Sequence, residues 1–236
     1  MKKILLMLMV LSSLSYGENI YATFNVVAKQ DAKLAFIASG IVQKVNVDIG
    51  SKVKKGEVLA KLDNDDVAAM LQSAKTSLKF AKRSLQRQKK VQKLIDEAKF
   101  DVVLNNYEKA KNALAYQEAL YAKTFLKAPF DGVIYDKAIE VGDGVSGMML
   151  KTVFKIQSKD ARKLILEFDQ KYSDEVKVGD MFEYSVDGDE RVSKAKISKI
   201  YPYADFHNRK IRAEVEVKSL RVGLFGDGYI VTQSKK

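Results

Sequence analysis

The residue types that most often perform chemistry in proteins are scarce in this sequence and poorly grouped. Of its 236 residues none is cysteine, none is tryptophan and one is histidine, His207. The lack of cysteine removes disulfides, thiolate nucleophiles and cysteine-ligated zinc or iron–sulfur sites. Asp205 is near His207 in sequence, but no second strong ligand accompanies them, so we expect this histidine to face solvent rather than hold a metal.

Two other groups could suggest chemistry, and neither has the spacing that a site needs. Asp63, Asp65 and Asp66 resemble paired carboxylates, yet they fall where a long helix is predicted to begin, and acidic residues are favoured there by the helix dipole. Met148-Met149 is an isolated pair. No nucleophile elbow, phosphate loop or dinucleotide fingerprint is present. We therefore predict a protein that is not an enzyme, with no catalytic residue, no cofactor and no metal site.

The first seventeen residues have the pattern of an export signal. Two lysines precede an apolar stretch at 4–14, and Ser15-Tyr16-Gly17 places small residues at the −3 and −1 positions of a cleavage site. We predict a secretory signal peptide at 1–17. The net charge of +11 leaves nucleic acid, anionic lipid or an acidic protein open as partners, and export argues against nucleic acid. No run of 18 apolar residues exists, so we expect the protein to be peripheral to the membrane rather than spanning it.

An internal repeat flanks the middle of the chain. The two copies occupy residues 40–53 and 132–145, and each begins with glycine followed by two β-branched residues. A second glycine comes ten residues later in both, at Gly50 and Gly142, and alternating apolar residues between the glycines favour strands. Neither half buries enough apolar surface alone, so we predict that the two form one small sandwich with approximate two-fold symmetry.

The segment between the two copies has the periodicity of two helices. Apolar residues follow alternating spacings of four and three, which is a heptad seam. We predict one helix from Asp65 to about Lys93 and a second over 100–124, antiparallel, with Asn64 or Asp63 as the first helix cap. About 30 residues in each helix make a hairpin of roughly 45 Å. The main seam positions are Leu71, Leu78, Leu85, Val103, Tyr107 and Leu114.

The outer surface of the first helix carries charge of a single sign. Residues 67–93 include eight lysines and arginines and no acidic residue. A self-contained helix usually mixes signs to gain pairs between residues i and i+4. The run therefore indicates either an acidic partner surface or a solvated face, and the sequence leaves both open.

The order of these parts resembles the periplasmic adaptors, or membrane fusion proteins, of tripartite efflux pumps of the resistance-nodulation-division type. The resemblance implies a mixed β and α fold: a lipoyl-like barrel-sandwich hybrid domain at 18–63 and 126–153, split by an antiparallel coiled-coil α-hairpin at 64–125. The residues that carry it are the turn motifs Gly40, Gly50, Gly56, Pro129, Asp131, Gly132 and Gly142.

The C-terminal third continues the resemblance. It implies a small antiparallel β-barrel domain at 154–236, and alternating strands with Gly/Asp turns favour the same architecture. Its matching motif positions are Gly179, Pro202, Arg209 and Gly223. Many relatives add a membrane-proximal domain after this barrel, and we expect that domain to be absent here.

The resemblance also implies a role. Such adaptors lie in the periplasm, associate with the cell envelope as homo-oligomeric rings, and link an inner-membrane efflux transporter to an outer-membrane channel during export of small molecules. Larger relatives place an Arg, a Leu and a Ser around the hairpin tip. Here Lys90 and Leu94 match the first two, Asp96 stands near the third, and Ile95 completes the predicted channel-docking tip.

Three alternatives follow from the same residues. An adaptor of an ATP-driven exporter or of a type I secretion system would share most of these motifs. A periplasmic metal-binding protein of a heavy-metal efflux system would need clustered Met, His or Cys ligands. A lipoyl or biotinyl carrier would present a lysine on a tight hairpin, and here the helical arm occupies that position. The cargo and the number of subunits are not encoded in any motif we find.

Overall fold

The computed structural model describes residues 19–91 and 96–232, which divide into two compact units. One unit joins residues 19–30 to 160–232, and the other comprises residues 31–159. The predicted signal peptide at 1–17 lies outside the described residues. Within the described ranges, neither helix combines the length and the apolar character that a bilayer span requires.

Fourteen strands and two long helices make up the described residues, together with a short 3-10 helix at Gln170–Tyr172. In chain order they are β1 (Asn19–Ala28), β2 (Asp31–Leu34), β3 (Gly40–Val45), β4 (Lys52–Val53), β5 (Val58–Leu62), α1 (Asp65–Lys90), α2 (Glu97–Lys123), β6 (Phe125–Lys127), β7 (Gly132–Lys137), β8 (Gly144–Val145), β9 (Phe154–Ser158), β10 (Ala161–Asp169), β11 (Met181–Val186), β12 (Ser193–Asp205), β13 (Lys210–Lys218) and β14 (Phe225–Val231).

Six of these strands close into a barrel with the order β1-β10-β13-β12-β11-β14, antiparallel throughout. Strict alternation along β1 and β10 turns every second side chain inward, so the apolar residues meet in one core. Gly226 lets two strands approach closely, because a Cβ there would lie 2.1 Å from the Ser185 carbonyl oxygen. The core comprises Ile20, Ala22, Phe24, Val26, Leu164, Leu166, Phe168, Val176, Phe182, Tyr184, Ile197, Ile211, Ala213, Val215 and Ile230.

The second unit packs two four-stranded sheets, β2-β9-β7-β4 and β6-β5-β3-β8. The two sequence repeats exchange strands: β3 of the first copy pairs with β8 of the second, and β4 of the first pairs with β7 of the second. Each copy therefore pairs with a strand of the other in both sheets, which agrees with the expectation that the two copies form one sandwich. The predicted fold class, a split sandwich interrupted by a helical hairpin and accompanied by a small barrel, is confirmed.

The structure draws the boundary between the two β units differently from the sequence prediction. Strand β1 falls inside the predicted 18–63 segment, yet it pairs with β10 and β14 and completes the barrel. Strand β9 falls inside the predicted 154–236 barrel, yet it pairs with β2 and β7. Alternation identifies a strand but not its neighbours, so the long-range pairing that closes each sheet was invisible in the sequence pattern.

Candidate functional site

The hairpin is fixed at its base by a buried hydrogen bond between its two ends. Asn64 occupies the N-cap position of α1, but its side chain makes no capping bond. Instead its amide Nδ2 donates to the Thr124 hydroxyl at 2.7 Å, and that hydroxyl donates to the Tyr121 carbonyl at 2.7 Å. Of the two predicted candidates, Asn64 and Asp63, Asn64 is therefore at the cap position, but its side chain reaches across to the end of α2 rather than back to its own helix.

The two helices pack against each other and bury few of their side chains. They have 26 and 27 residues, so each is about 40 Å long. Leu71 and Leu85 are the buried residues of α1, and α2 has none. The other predicted seam positions, Leu78, Val103, Tyr107 and Leu114, are half-buried.

At the far end the structure describes two of the four predicted tip residues. Lys90 ends α1 and is exposed. Asp96 is the N-cap of α2, and its Oδ1 accepts from the backbone N–H groups of Ala98 at 2.9 Å and Lys99 at 3.4 Å. This carboxylate therefore stabilises the start of α2. Leu94 and Ile95 lie outside the described residues.

Charge is distributed unequally between the two helices. All seven lysines and arginines of α1 are exposed, and within the described ranges none of them forms an ion pair with a carboxylate. Helix α2 balances four acidic residues against four basic ones, and Glu108 pairs with Lys111 at 3.4 Å. The single-sign surface expected from the sequence is thus an exposed feature of α1, available to a partner.

The predicted turn motifs of the sandwich serve its backbone. Gly50 and Gly142, the equivalent glycines of the two repeats, both adopt positive φ, at 86° and 95°. Gly132 allows β7 to approach β9, since a Cβ there would lie 2.5 Å from the Gln157 carbonyl oxygen. Asp131 Oδ1 accepts from the Lys55 N–H at 2.7 Å and so joins the segment after the first copy to the segment before the second.

The remaining motif positions of the sandwich lie at strand ends and turns. Gly40 is the first residue of β3, Gly56 has a φ of 84° in the turn before β5, and Pro129 lies in the bend between β6 and β7. These residues shape the chain rather than present a reactive group to solvent.

The barrel motifs are also structural. Gly179 and Gly223 adopt positive φ, at 100° and 90°, in the turns before β11 and β14. Pro202 lies where the pairing of β12 with β13 shifts register, a place that tolerates a residue without an N–H. Arg209, with a φ of 54°, occupies the turn between those strands, and its carbonyl accepts from the Gln170 N–H at 3.0 Å.

The residues first considered for chemistry do not converge. Asp205 Oδ1 accepts from the His207 backbone N–H at 2.9 Å, and this bond holds the pKa of the carboxyl below its usual value. Met148 and Met149 are 94% and 79% exposed. In residues 19–91 and 96–232 no group of three or more His, Asp or Glu side chains has a geometry that could hold a metal ion.

A polar cluster on the outside of the barrel was not predicted. The Glu214 carboxylate accepts from the Tyr201 hydroxyl at 2.8 Å and from Lys163 Nζ at 3.1 Å, and its side chain is only 10% exposed. Burial raises the pKa of this carboxyl, but the hydrogen bonds outweigh burial and leave the pKa below its ordinary value. Only the cross-strand pairing, absent from the sequence pattern, brings these residues together.

Comparison with known proteins gives a family and two curated relatives. A family model described as "CzcB-like, barrel-sandwich hybrid domain" matches residues 30–157. The cobalt-zinc-cadmium resistance protein CzcB of Cupriavidus metallidurans is 32% identical in a 125-residue alignment, and the match covers 46% of this chain and 24% of that protein. An uncharacterized protein of Haemophilus influenzae is 26% identical over 152 residues, 64% of this chain and 39% of that one. The matched segments thus span well under half of these relatives.

Solved structures share the fold. A MacA–MexA chimera that contains the Pseudomonas aeruginosa MexA α-hairpin domain superposes with a TM-score of 0.81 at 22% identity, covering 91% of this chain and 81% of that one. MacA from Actinobacillus actinomycetemcomitans gives 0.74 at 21% identity, covering 92% and 79%. The membrane fusion protein Spr0693 from Streptococcus pneumoniae gives 0.73 at 16% identity, covering 92% and 100%.

Proposed function

Because this chain belongs to the CzcB-like barrel-sandwich hybrid family and is a membrane fusion protein, the periplasmic adaptor of efflux pumps, we propose that it links an inner-membrane transporter to an outer-membrane channel. In this role it performs no catalysis, binds no cofactor and lies in the periplasm as a homo-oligomeric ring. The transporter is of the resistance-nodulation-division type, and the ring couples it to the channel during export of small molecules.

The observation that carries this proposal is the hairpin. A pair of helices about 40 Å long leaves the two-sheet sandwich, and only two side chains of its described residues, Leu71 and Leu85, are buried. Such an arm adds little stability to a compact domain, because it contributes few side chains to the core. An adaptor that spans an aqueous gap gains reach, and the buried Asn64–Thr124 bond holds the base of that arm together.

We place the contact with the outer-membrane channel at the hairpin tip, formed by Lys90, Leu94, Ile95 and Asp96. Lys90 is exposed at the end of α1, where a partner can reach it. Asp96 would contribute indirectly, because its carboxylate accepts hydrogen bonds from the first turn of α2 and so stabilises the start of that helix.

Charge reversal at the tip tests this assignment. Lys90→Glu and Leu94→Asp are each expected to abolish efflux and co-purification with the channel, while the chain remains folded. Lys75→Glu, the same charge change at an exposed position nearer the base, is the matched control and is expected to retain both. Unchanged efflux and channel capture in both tip variants would refute the tip assignment.

The transporter class is tested separately, by identifying the inner-membrane protein that co-purifies with the full-length chain from detergent-solubilised membranes. The proposal predicts a resistance-nodulation-division transporter. Recovery of an ATP-driven exporter or a type I secretion component would replace that part of the proposal and leave the adaptor role intact.

One observation favours a particular cargo. Both the matching family model and a 32% identical relative carry the CzcB name, and that relative is a cobalt-zinc-cadmium resistance protein. As a second candidate we propose that the pump exports divalent metal ions. Loss of the gene is then expected to lower tolerance to cobalt, zinc or cadmium salts more than tolerance to organic dyes. The opposite order would favour organic cargo.

A further inference from the structure

A cleft of about 630 Å³ lies beside the base of the hairpin, within the unit formed by residues 31–159. Three segments line it: residues 37–41, which lead into β3, residues 63–67 at the start of α1, and the last turn of α2. Pockets that hold drug-sized ligands have volumes of about 300–1,000 Å³, so this one is large enough for a small organic molecule. We call it the base cleft.

The walls of the base cleft are aliphatic. On one side Ile37 and Ile41 are 61% and 54% exposed, although both side chains are large and apolar. On the other side lie the half-buried Val67 and Leu120. A ligand with an apolar body would remove these side chains from water, which is favourable in proportion to the apolar area covered.

The wall at residues 37–41 is held in place by the rest of the sandwich. The Ile41 carbonyl accepts from the Asp63 N–H at 2.8 Å, and the Ser39 hydroxyl accepts from the Gly147 N–H at 3.0 Å. Gly147 also packs so closely that a Cβ there would lie 2.4 Å from the Ile37 carbonyl oxygen. The cleft is therefore preformed, and a ligand would lose little affinity in ordering it.

The rim of the base cleft is acidic. Three exposed carboxylates line it, those of Asp63, Asp65 and Asp66, whereas Lys123 is the one cation among its lining residues. The N-terminus of α1 and the C-terminus of α2 meet at this level, so their opposite dipole charges of about half a unit compensate each other. The side chains therefore leave the rim with a net negative charge.

The arrangement of the carboxylates favours a diffuse cation over a metal ion. Within the described residues the side-chain oxygens of Asp63 and Asp65 form no ion pair or hydrogen bond, while Asp66 Oδ1 accepts from the Val67 N–H at 2.7 Å. In the same part of the chain these carboxylates do not form a group that could hold a metal ion. The helix dipole explains acidic residues in the first turn of α1, but it does not explain the exposed isoleucines beside them.

We propose that the base cleft binds an amphipathic organic cation, a molecule that carries its positive charge on an apolar body. The aliphatic walls take up the body, and the rim carboxylates attract the charge. Because the rim is exposed, each carboxylate contributes modestly and the affinity falls as ionic strength rises. The site is a property of this chain by itself and does not rest on the adaptor role.

Two ions of nearly equal size and shape but opposite charge test the proposal, tetraphenylphosphonium and tetraphenylborate. They are titrated separately into the full-length chain by isothermal calorimetry. Tetraphenylphosphonium is expected to bind at one site, at least about tenfold more tightly than tetraphenylborate, and more weakly in high salt. The whole chain carries a net charge of +11, which favours the anion elsewhere, so a preference for the cation must arise locally.

Removal of the rim charge assigns the binding to the base cleft. Asp63→Asn combined with Asp65→Asn is expected to weaken tetraphenylphosphonium binding about fivefold, the order set by exposed charge pairs. The matched control is Asp101→Asn, an exposed carboxylate of α2 outside the cleft, which is expected to leave the affinity unchanged.

A change in the wall gives an arm that does not depend on the helix start. Ile37→Ser is expected to weaken tetraphenylphosphonium binding about fivefold, because apolar contact area is lost. Ile49→Ser is its control, since Ile49 is 62% exposed but does not line the cleft.

Three results would each overturn the site: no binding of tetraphenylphosphonium, equal affinity for the two ions, or equal weakening by the cleft variants and their controls. All of these measurements use the purified chain. Their failure would therefore leave the adaptor role untouched, and loss of the adaptor role would leave the cleft as a binding site.

Discussion

The barrel and the hairpin differ in how much of their surface they bury within the same chain. The barrel encloses fifteen buried apolar residues, and its strands leave no open edge. The described helices of the hairpin bury two leucines, Leu71 and Leu85. The barrel is therefore stabilised by its own core, whereas the hairpin is long, has few buried side chains and exposes most of its surface. That exposed surface is what the proposed adaptor role would use for contact with partners.

The largest expected effect on stability comes from truncating one large side chain in the barrel core. Phe182 is fully buried, meets Phe24 edge-to-face at 5.9 Å and stacks on Tyr184. Phe182→Ala is expected to destabilise the barrel by about 3–5 kcal/mol, since a large cavity replaces the ring. Urea unfolding followed by hydrogen exchange in each region measures it.

The matched change in the hairpin is Leu78→Ala, at a half-buried seam position. It is expected to cost less than half as much as Phe182→Ala, because the side chain is already partly in water. Equal losses at the two positions would contradict the contrast between a packed barrel and a thinly packed hairpin.

A smaller effect is expected from the buried carboxylate on the barrel surface. The hydrogen bonds to Glu214 lower its pKa, so its stabilisation is complete above the unfolded-state pKa and disappears as pH falls through the folded-state pKa. Glu214→Gln is expected to cost about 1.5–3 kcal/mol at neutral pH, the range for hydrogen bonds to charged groups, and progressively less in acid.

Urea denaturation of wild type and variant at neutral pH and in acid gives this difference. Glu216→Gln is the control, since its exposed carboxylate pairs with Lys29 at the surface and is expected to contribute little. A Glu214→Gln effect that does not change with pH would show that the carboxylate charge is not the source.

At the base of the hairpin, Thr124→Val removes the hydroxyl that joins α1 to α2 while keeping the size of the side chain. The buried amide of Asn64 then loses its acceptor, and we expect a cost of about 1–2 kcal/mol. Hydrogen exchange should accelerate in the first turn of α1 and the last turn of α2 but not in the barrel. Unchanged protection at the helix ends would mean that the bond does not fasten the hairpin.

The smallest effect is expected on the exposed face of α1. Lys82→Gln removes one of seven exposed cations and is expected to change the stability of the isolated chain by less than about 0.5 kcal/mol. Thermal unfolding followed by circular dichroism checks it. A large loss would place Lys82 in an interaction within the chain and weaken the case that this face awaits a partner.

Much of the fold could be read from the sequence because local patterns determine it. The heptad spacing from Val67 to Gln88 located α1 and its buried face, and the glycine spacing of the two repeats located the turns at Gly50 and Gly142. Both patterns depend on neighbours within a few residues, and a period or a required positive φ leaves a direct trace in the sequence.

What could not be read depends on pairing between distant segments. Strand β1 would show the same alternation whichever strand it paired with. Its pairing with β10, in which Ala22 lies opposite Phe168, could therefore be seen only in the structure. Asn64 satisfied every local rule for a helix cap, yet Thr124, sixty residues away, was the better partner for its amide. Glu214 was one acidic residue among thirty until β10 and β12 brought Lys163 and Tyr201 to it.

The most direct measurement of the adaptor role compares the two regions in living cells. A photo-cross-linking amino acid replaces Lys90 at the hairpin tip in one strain and the exposed Tyr203 of the barrel in another. We predict that the label at position 90 captures an outer-membrane channel and that the label at position 203 captures an inner-membrane transporter. Capture of inner-membrane proteins by both labels, or of the channel by neither, would contradict the proposal that the chain links an inner-membrane transporter to an outer-membrane channel.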